Sequence, residues 1–148
     1  MTGAEAVFLD TNVLVAATVE AHPSHQLATA LLGRIADRAA AVCVSPQVCR
    51  EYLAVLTRAP VEGRTFTNGE ALEALTVSLE GCAVLDETVA VLDGLLDLVA
   101  RRGVRGRQVH DANIVATMVA HRVTRLATLD STDFRRFEDL VSLEPVSS

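Results

Sequence analysis

Two acidic residues stand where a carboxylate is unfavourable unless it has a function. Asp10 follows the apolar run at residues 7–9. An acid that ends a buried strand lies at the carboxyl edge of the sheet, where open α/β folds bind ligands. Glu51 lies three residues after Val48 and four before Val55, inside the apolar stripe of a predicted helix. A carboxylate in such a stripe destabilises the fold unless a positive charge meets it.

Two further acids have the same character. Asp111 precedes Ile114 and Val115 by three and four residues, which places it on the inward side of a helix, in the first turn. Asp130 follows the β-prone run at residues 126–129, much as Asp10 follows its strand. The chain therefore has four acids that its elements direct inward or toward one edge of a sheet.

A simpler structural role is open for three of these acids. Asp10 and Asp111 have the positions of helix-capping residues, and Glu51 has Arg50 and Arg58 within reach for a structural ion pair. The alternatives differ in whether the four side chains reach one place in the fold.

Convergence of the acids would define their chemistry. Carboxylates that share a few ångströms repel one another, which raises their pKa values or requires a cation. Carboxylate oxygens without His or Cys favour the hard ions Mg²⁺ and Mn²⁺. Such a site suits phosphoryl chemistry, in which the metal activates water and neutralises the phosphate while a carboxylate accepts a proton. We therefore expect Asp10 within metal-sharing distance of Asp111 and Asp130.

Strands and helices alternate along the whole chain, which predicts an α/β fold. The expected architecture is a single three-layer domain over 1–148, with a central, mainly parallel sheet of four to five short strands flanked by helices. Asp86 and Glu87 are expected in the first turn of a helix, where they suit its dipole. The predicted strands are 7–9, 41–44, 82–85, 126–129 and 140–143, and the predicted helices are 12–19, 23–40, 47–58, 69–79, 86–102 and 109–122, with a short helical turn from 131 on which Phe134 and Phe137 pack inward.

The composition limits which nucleic-acid contacts are possible. The formal net charge of -6 argues against broad neutralisation of phosphates, and an aromatic content of 3% argues against a binder that stacks unpaired bases. All 13 basic residues are Arg, and eight of them lie between Arg101 and Arg136. Any contact with nucleic acid must therefore be local.

Cysteine usage and hydropathy predict the compartment. Cys43, Cys49 and Cys82 are odd in number and lack zinc-site spacing, which predicts buried thiols in a reducing environment. No basic residue precedes Arg34, as a secretory signal would require, and no apolar run approaches the ~18 residues of a membrane span. We expect a soluble, cytoplasmic protein with no membrane contact.

Four motifs in this order resemble the PIN domain family, and the chain length is similar to that of VapC toxins from bacterial toxin–antitoxin pairs. The resemblance covers essentially the whole chain. It implies a Mg²⁺- or Mn²⁺-dependent endoribonuclease that acts on structured RNA such as tRNA or rRNA, is inhibited by a VapB-like antitoxin, and is usually a homodimer. The motifs are Leu9-Asp10-Thr11-Asn12, Arg50-Glu51-Tyr52, His110-Asp111-Ala112 and Thr128-Leu129-Asp130-Ser131-Thr132-Asp133-Phe134.

The resemblance assigns roles to individual residues. Family members differ in whether the first or the second acid of the last motif contributes, so Asp130 is the expected fourth ligand and Asp133 reaches the metal through water. We further expect Arg107, with Arg102 and Arg105, to contact substrate phosphates; a flexible solvated loop is the alternative. Matched to the core acids are Asp10, Glu51 and Asp111, and matched to polar residues near the site are Thr11, Asn12 and Thr128.

Other functions are open at this point. A phosphotransfer domain of the receiver type would use a Lys, which this chain lacks, and a haloacid-dehalogenase-like phosphatase would have a second Asp where Asn12 stands. A degenerate PIN fold that only binds a partner is disfavoured because all four core acids are present. His22 and His25 are expected in a solvent-facing turn, and His110 has a catalytic role only if it faces the site.

Overall fold

The computed structural model describes residues 5–147, which form a five-stranded sheet flanked by helices. The strands are β1 (Ala6–Leu9), β2 (Ala41–Val44), β3 (Cys82–Val84), β4 (Arg125–Ala127) and β5 (Ser142–Leu143). Their order is β3-β2-β1-β4-β5, and every neighbouring pair is parallel. The predicted α/β fold with a parallel sheet is confirmed. The expected single domain over 1–148 extends past the described residues at both ends.

Six α-helices and one 3-10 helix surround the sheet in this part of the chain. They are α1 (Thr11–Thr18), α2 (His25–Asp37), α3 (Pro46–Arg58), α4 (Asn68–Ser78), α5 (Val89–Arg102), α6 (Gln108–Ala120) and the 3-10 helix Ser131–Phe137. Helices α1 to α4 pack together in one group, and α6 packs with α5 and the 3-10 helix in another. Since parallel crossovers are right-handed, the two groups cover opposite faces of the sheet.

The core is built on β1, which lies in the middle of the sheet. Val7 and Phe8 are fully buried because both faces of the strand are covered by helices. Phe134 and Phe137 of the 3-10 helix are also buried, as their spacing predicted. This last helical segment is therefore anchored by its own aromatic side chains.

The strand order reverses at β1. The chain runs from β1 outward to β2 and β3, and then returns to add β4 and β5 on the other side. The crevice outside the carboxyl ends of β1 and β4 is thus a topological switch point, where ligands bind in open α/β sheets. The backbone N–H of Asp10 donates to Ala127 O at 3.0 Å, so the two strands stay together up to this edge.

Several helices and strands are shorter than predicted. Helix α2 ends at Asp37 because Ala39 adopts a left-handed φ of 57°, which no helix can continue. Strand β4 ends at Ala127 rather than at residue 129. The backbone N–H groups that follow, of Leu129 and Asp130, donate to side chains and not to a neighbouring strand. Strand β5 has only two residues.

The role predicted for Asp86 and Glu87 was wrong. Helix α5 begins at Val89 with Thr88 as its N-cap, and its first turn contains no acid. Glu87 instead accepts the backbone N–H of Gln47 at 2.7 Å, which stabilises the start of α3. A threonine adjacent to the helix was the better capping residue, and this left the Glu87 carboxylate for another helix.

Two further sequence predictions concern the burial of the cysteines and the absence of a membrane span. All three cysteines are free thiols, and Cys43 is buried, but Cys49 and Cys82 are only half-buried. Within residues 5–147, no helix has both the length and the apolar character needed to cross a membrane.

Candidate active site

A cleft of about 640 Å³ opens at the carboxyl edge of the sheet, beside the ends of β1 and β4. The acids reach it from the end of β1, from α3, from α6 and from the segment after β4. The fold therefore brings together side chains from four separate parts of the chain. The acids that line the cleft are Asp10, Glu51, Asp111, Asp130 and Asp133.

Asp10 lies at the floor of the cleft and is only 8% exposed. Its Oδ1 accepts the N–H of Thr11 at 2.8 Å, so it also caps α1, and its Oδ2 accepts the Thr128 hydroxyl at 2.8 Å. Burial raises the pKa of Asp10 to about 6, although the hydrogen bonds from Thr128 and Thr11 act in the opposite direction. The cap and the functional role are therefore compatible in one side chain.

The Thr128 hydroxyl organises this part of the cleft. Besides donating to Asp10, it accepts the Asn12 amide at 3.2 Å and the N–H of Asp130 at 3.0 Å. The Asn12 side chain in turn accepts the N–H of Leu129 at 3.1 Å. These bonds fix the segment after β4 against the start of α1, which holds Asp10 in one orientation.

Glu51 of α3 is half-buried and is bonded by neutral groups. The Thr11 hydroxyl donates to its Oε1 at 2.8 Å, and the Gln47 amide donates to its Oε2 at 3.1 Å. In residues 5–147 no ion pair joins it to Arg50 or Arg58. The structural ion pair considered as an alternative is therefore absent from this stretch of the protein.

Gln47 is the buried member of a polar network that the sequence analysis missed. It is 3% exposed, and its amide also donates to the His110 carbonyl at 2.8 Å. Asn113 of α6 donates to Gln47 Oε1 at 2.7 Å and to Glu87 Oε1 at 3.0 Å. The network joins α3 to the first turn of α6 and so places Glu51 relative to Asp111. The sequence signal for this network was the spacing of Gln47 and Glu51, which are four residues apart and therefore on the same face of the helix.

Asp111 lies in the first turn of α6, half-buried against the cleft. Burial raises its pKa to about 7, and the charges of Asp10, Asp133, Glu51 and Asp130 add to the shift. The negative charge of every other acid of the cleft therefore acts on Asp111.

Asp130 and Asp133 form the outer rim, and both are exposed. Loss of hydration and the neighbouring Asp133 raise the pKa of Asp130, whereas the Arg107 guanidinium lowers it. Asp130 does not directly end β4 as predicted; Thr128 and Leu129 intervene, and Asp130 stands at the start of the 3-10 helix.

The carboxylates line one cleft, but they are not gathered around one point. Within the described residues 5–147, no three Asp, Glu, His or Cys side chains are close enough to hold one metal ion. The expectation that Asp10 shares such a distance with Asp111 and Asp130 is not met in this arrangement, in which like charges repel and Asp10 is held by its hydrogen bonds. The donor chemistry, all carboxylate oxygen, still suits a hard divalent cation.

The sequence also places the chain in a family. The family model of the PIN domain matches residues 7–140, which include every acid of the cleft. The chain belongs to the PIN domain family. No significant match was found among curated proteins.

Solved structures share this PIN fold. VapBC2 from Rickettsia felis, bound to a promoter DNA fragment, superposes with a TM-score of 0.69 at 18% identity, over 94% of this chain and 97% of that one. VapBC-1 from nontypeable Haemophilus influenzae gives 0.69 at 13% identity, over 97% and 99%. VapC20 from Mycobacterium tuberculosis, a toxin that cleaves the sarcin–ricin loop, gives 0.61 at 19% identity, over 81% and 86%. At these identities the likeness shows the fold.

The three arginines predicted to contact substrate have different positions in this PIN domain. Arg107 lines the cleft. Arg102 instead binds both carboxylate oxygens of Asp139, at 2.6 and 2.8 Å. Arg105 is exposed, and its backbone N–H donates to Gln108. The structure therefore brings Arg107 to the acids, and holds Arg102 at a different carboxylate.

Three further residues line the cleft that the sequence analysis had given no role in the site, or only a conditional one. His22 was expected in a solvent-facing turn but lines the cleft, as do Arg58 and the exposed His110. Arg58 follows Glu51 by seven residues, two helical turns, and this spacing was the available signal. His25 does not line the cleft; its Nδ1 is bonded to the carbonyl of Ala16 at 2.8 Å.

Proposed function

We propose that this PIN domain is a Mg²⁺- or Mn²⁺-dependent endoribonuclease and the toxin of a VapBC-like pair. The observation that carries the proposal is the set of five carboxylates lining one cleft at the switch point of the sheet. Burial and mutual repulsion raise the pKa values of Asp10 and Asp111, so the cleft favours a cation. A site of hard oxygen donors facing solvent suits hydrolysis of a phosphodiester.

Each acid has a role in this proposal. Asp10, Glu51, Asp111 and Asp130 hold the cation, and Asp133 contributes through water. When bound, the ion lowers the pKa of water and neutralises charge on the phosphate. Thr11 and Thr128 orient the carboxylates that they hydrogen-bond, and these carboxylates would hold the ion. One carboxylate accepts the proton released by the attacking water, and Arg107 contacts the substrate phosphate.

The partners follow from the same proposal. The structural neighbours include VapBC complexes and a toxin–antitoxin complex from Klebsiella pneumoniae, which supports a VapB-like antitoxin as the inhibitor. VapC20 is described as cleaving the sarcin–ricin loop, which supports structured RNA, tRNA or rRNA, as the substrate class. We further propose that the toxin is a cytoplasmic homodimer.

The test combines RNA cleavage with metal binding. Purified protein is incubated with unfractionated tRNA and rRNA, with Mn²⁺ or with EDTA, and Mn²⁺ binding is followed as a rise in Tm. We expect Asp111→Asn to lower cleavage by more than about 100-fold, because even groups that only support metal ligands contribute about 10- to 100-fold. Mn²⁺ should raise the Tm of the wild type far more than that of this variant.

Asp93→Asn is the matched control, because Asp93 is an exposed acid on α5 outside the cleft. It should leave both cleavage and the response to Mn²⁺ unchanged. Cleavage that continues in EDTA or in Asp111→Asn would contradict the proposal, and Mn²⁺ binding without cleavage of any RNA would favour the degenerate interaction module.

A further inference from the structure

The cleft continues beyond the carboxylates along α1 and α3. Thr11 and Glu51 are hydrogen-bonded to each other at 2.8 Å, and one turn farther along each helix Val15 and Val55 line the cleft. Beyond them, Arg58 lines it from the end of α3. The cleft thus has an acidic inner part and an outer part of different chemistry.

Arg58 gives the outer part a positive charge. It is exposed, and at 1.5 Å per residue it lies about 10 Å farther along the α3 axis than Glu51. Among residues 5–147, no hydrogen bond or ion pair engages its guanidinium, whereas Arg38, Arg101 and Arg102 each bind a carboxylate. A guanidinium that faces a cleft without such a partner retains its donors for a ligand.

His22 adds a neutral hydrogen-bond donor. Its Nδ1 accepts the backbone N–H of Ser24 at 3.0 Å, and a ring nitrogen that accepts a hydrogen bond carries no proton. The proton of this imidazole is therefore on Nε2, which is the nitrogen left for a ligand in the cleft.

We propose that Val15, His22, Val55 and Arg58 form a subsite for the nucleotide next to the scissile phosphate. The inference rests on the proposed ribonuclease function and extends it to how substrate is held. Arg58 forms charge-assisted hydrogen bonds with the flanking phosphate. His22 Nε2–H donates to the ribose or the base, and the two valines pack against the apolar surface of the same nucleotide.

The subsite explains how an acidic protein holds a polyanion. A net charge of -6 and five acids in the cleft repel RNA. Arg58 places one positive charge beyond the acids, and Arg107 places another beside Asp130. The RNA backbone next to the scissile phosphate therefore meets cations, while the acids are left to the metal and the reacting phosphate.

The test measures binding separately from cleavage. Asp111→Asn serves as the parent so that RNA stays intact, and the probe is a short fluorescent oligoribonucleotide of mixed sequence, titrated by anisotropy at several salt concentrations. Adding Arg58→Ala should weaken binding about 5- to 10-fold near 0.1 M salt and reduce the slope of log K against log salt by about 1. Adding His22→Phe should weaken binding about 5-fold with no change in slope, because the lost donor is neutral.

Two substitutions control for the effect of charge and position. Arg50→Ala removes an exposed arginine of the same helix that does not line the cleft, so affinity and slope should stay at the parent values. Arg58→Lys keeps the charge and should restore the slope.

The outcomes separate this inference from the proposed function. If the wild type cleaves RNA with Mn²⁺ while Arg58→Ala binds with the parent affinity and slope, the subsite is wrong and the ribonuclease stands. If the wild type cleaves no RNA, the proposed function is wrong whatever the binding data show.

Discussion

Two buried carboxylates in this protein have opposite surroundings. Asp10 is 8% exposed and is hydrogen-bonded by a backbone N–H and a threonine hydroxyl. Glu144, which follows β5, is 5% exposed and forms ion pairs with Arg38 and Arg125. Burial raises the pKa of Asp10 above its ordinary value. At Glu144 burial acts in the same direction, but the two guanidinium groups outweigh it, and the pKa of Glu144 is lowered.

The contrast distinguishes a structural charge from a functional one. Glu144 and its arginines tie the segment after β5 to the end of α2 and the start of β4, and Arg38 also binds Glu5 at 2.8 Å. The charge of Glu144 is balanced inside the protein. The charge of Asp10 is not, since its partners are neutral and its charged neighbours include Glu51 and Asp130. An unbalanced charge of this kind in a cleft supports the proposed cation site.

Removing a neutral partner of Asp10 should have the largest effect on catalysis. Thr128→Val keeps the side-chain shape and removes the hydroxyl that orients Asp10, so Mn²⁺ affinity and RNA cleavage should fall about 10- to 100-fold. Thr117→Val is the matched control, because Thr117 is equally buried but bonds to a carbonyl of its own helix. Equal effects of the two substitutions would mean that Asp10 needs no orienting partner.

Removing the charge of Glu144 should lower the stability of the fold and leave catalysis unchanged. Glu144→Gln removes the carboxylate that Arg38 and Arg125 share and should lower the free energy of unfolding by about 2 kcal/mol, since hydrogen bonds to charged groups contribute about 1.5 to 3 kcal/mol. Urea unfolding measures this loss. Glu138→Gln, at an exposed acid, should change stability by less than about 0.5 kcal/mol. The comparison fails if Glu144→Gln is as stable as this control.

The third difference is a pH dependence of opposite sign at the two carboxylates. The pKa values of Asp10 and Asp111, about 6 and about 7, lie above their ordinary value of 3.8. The folded state therefore keeps protons that the unfolded chain has lost, and the free energy of unfolding falls as pH rises from about 4 to about 7. The lowered pKa of Glu144 stabilises the fold above its ordinary 4.5, and this contribution is lost on acidification.

Thermal unfolding without metal measures this pattern. The Tm should be highest in mildly acidic buffer and decline toward pH 8, and Asp10→Asn or added Mn²⁺ should flatten the decline. A Tm that rises steadily from pH 5 to pH 8 would show that the acids of the cleft are not destabilised by their surroundings.

The sequence predicted the parts of the site that local periodicity controls. Asp10, Glu51 and Asp111 were found because each interrupts an apolar pattern of its own strand or helix, and the parallel sheet followed from the alternation of elements. Glu87 was misassigned because its partner, Gln47, lies 40 residues away in sequence. Hydrogen bonds between distant elements leave no periodic signal in either one.

The same limit applies to the ion pairs of Glu144 and to the spacing of the acids in the cleft. Nothing in the sequence around Glu144 indicates that Arg38, 106 residues earlier, will pair with it. The distances between carboxylates also depend on how helices pack, which composition and spacing do not determine. The sequence therefore predicted which acids line the cleft, but not how far apart they stand in it.

The pairing of β1 with β4 also determines when the cleft can exist. Asp10 is synthesised early, but the strand beside it, its Thr128 partner and Asp130 come more than a hundred residues later. During synthesis, β1 can pair with β2 long before β4 leaves the ribosome, and closing so long a loop is a slow step of folding. A nascent chain therefore carries no complete site until the segment with Thr128 and Asp130 has been translated and has folded against Asp10.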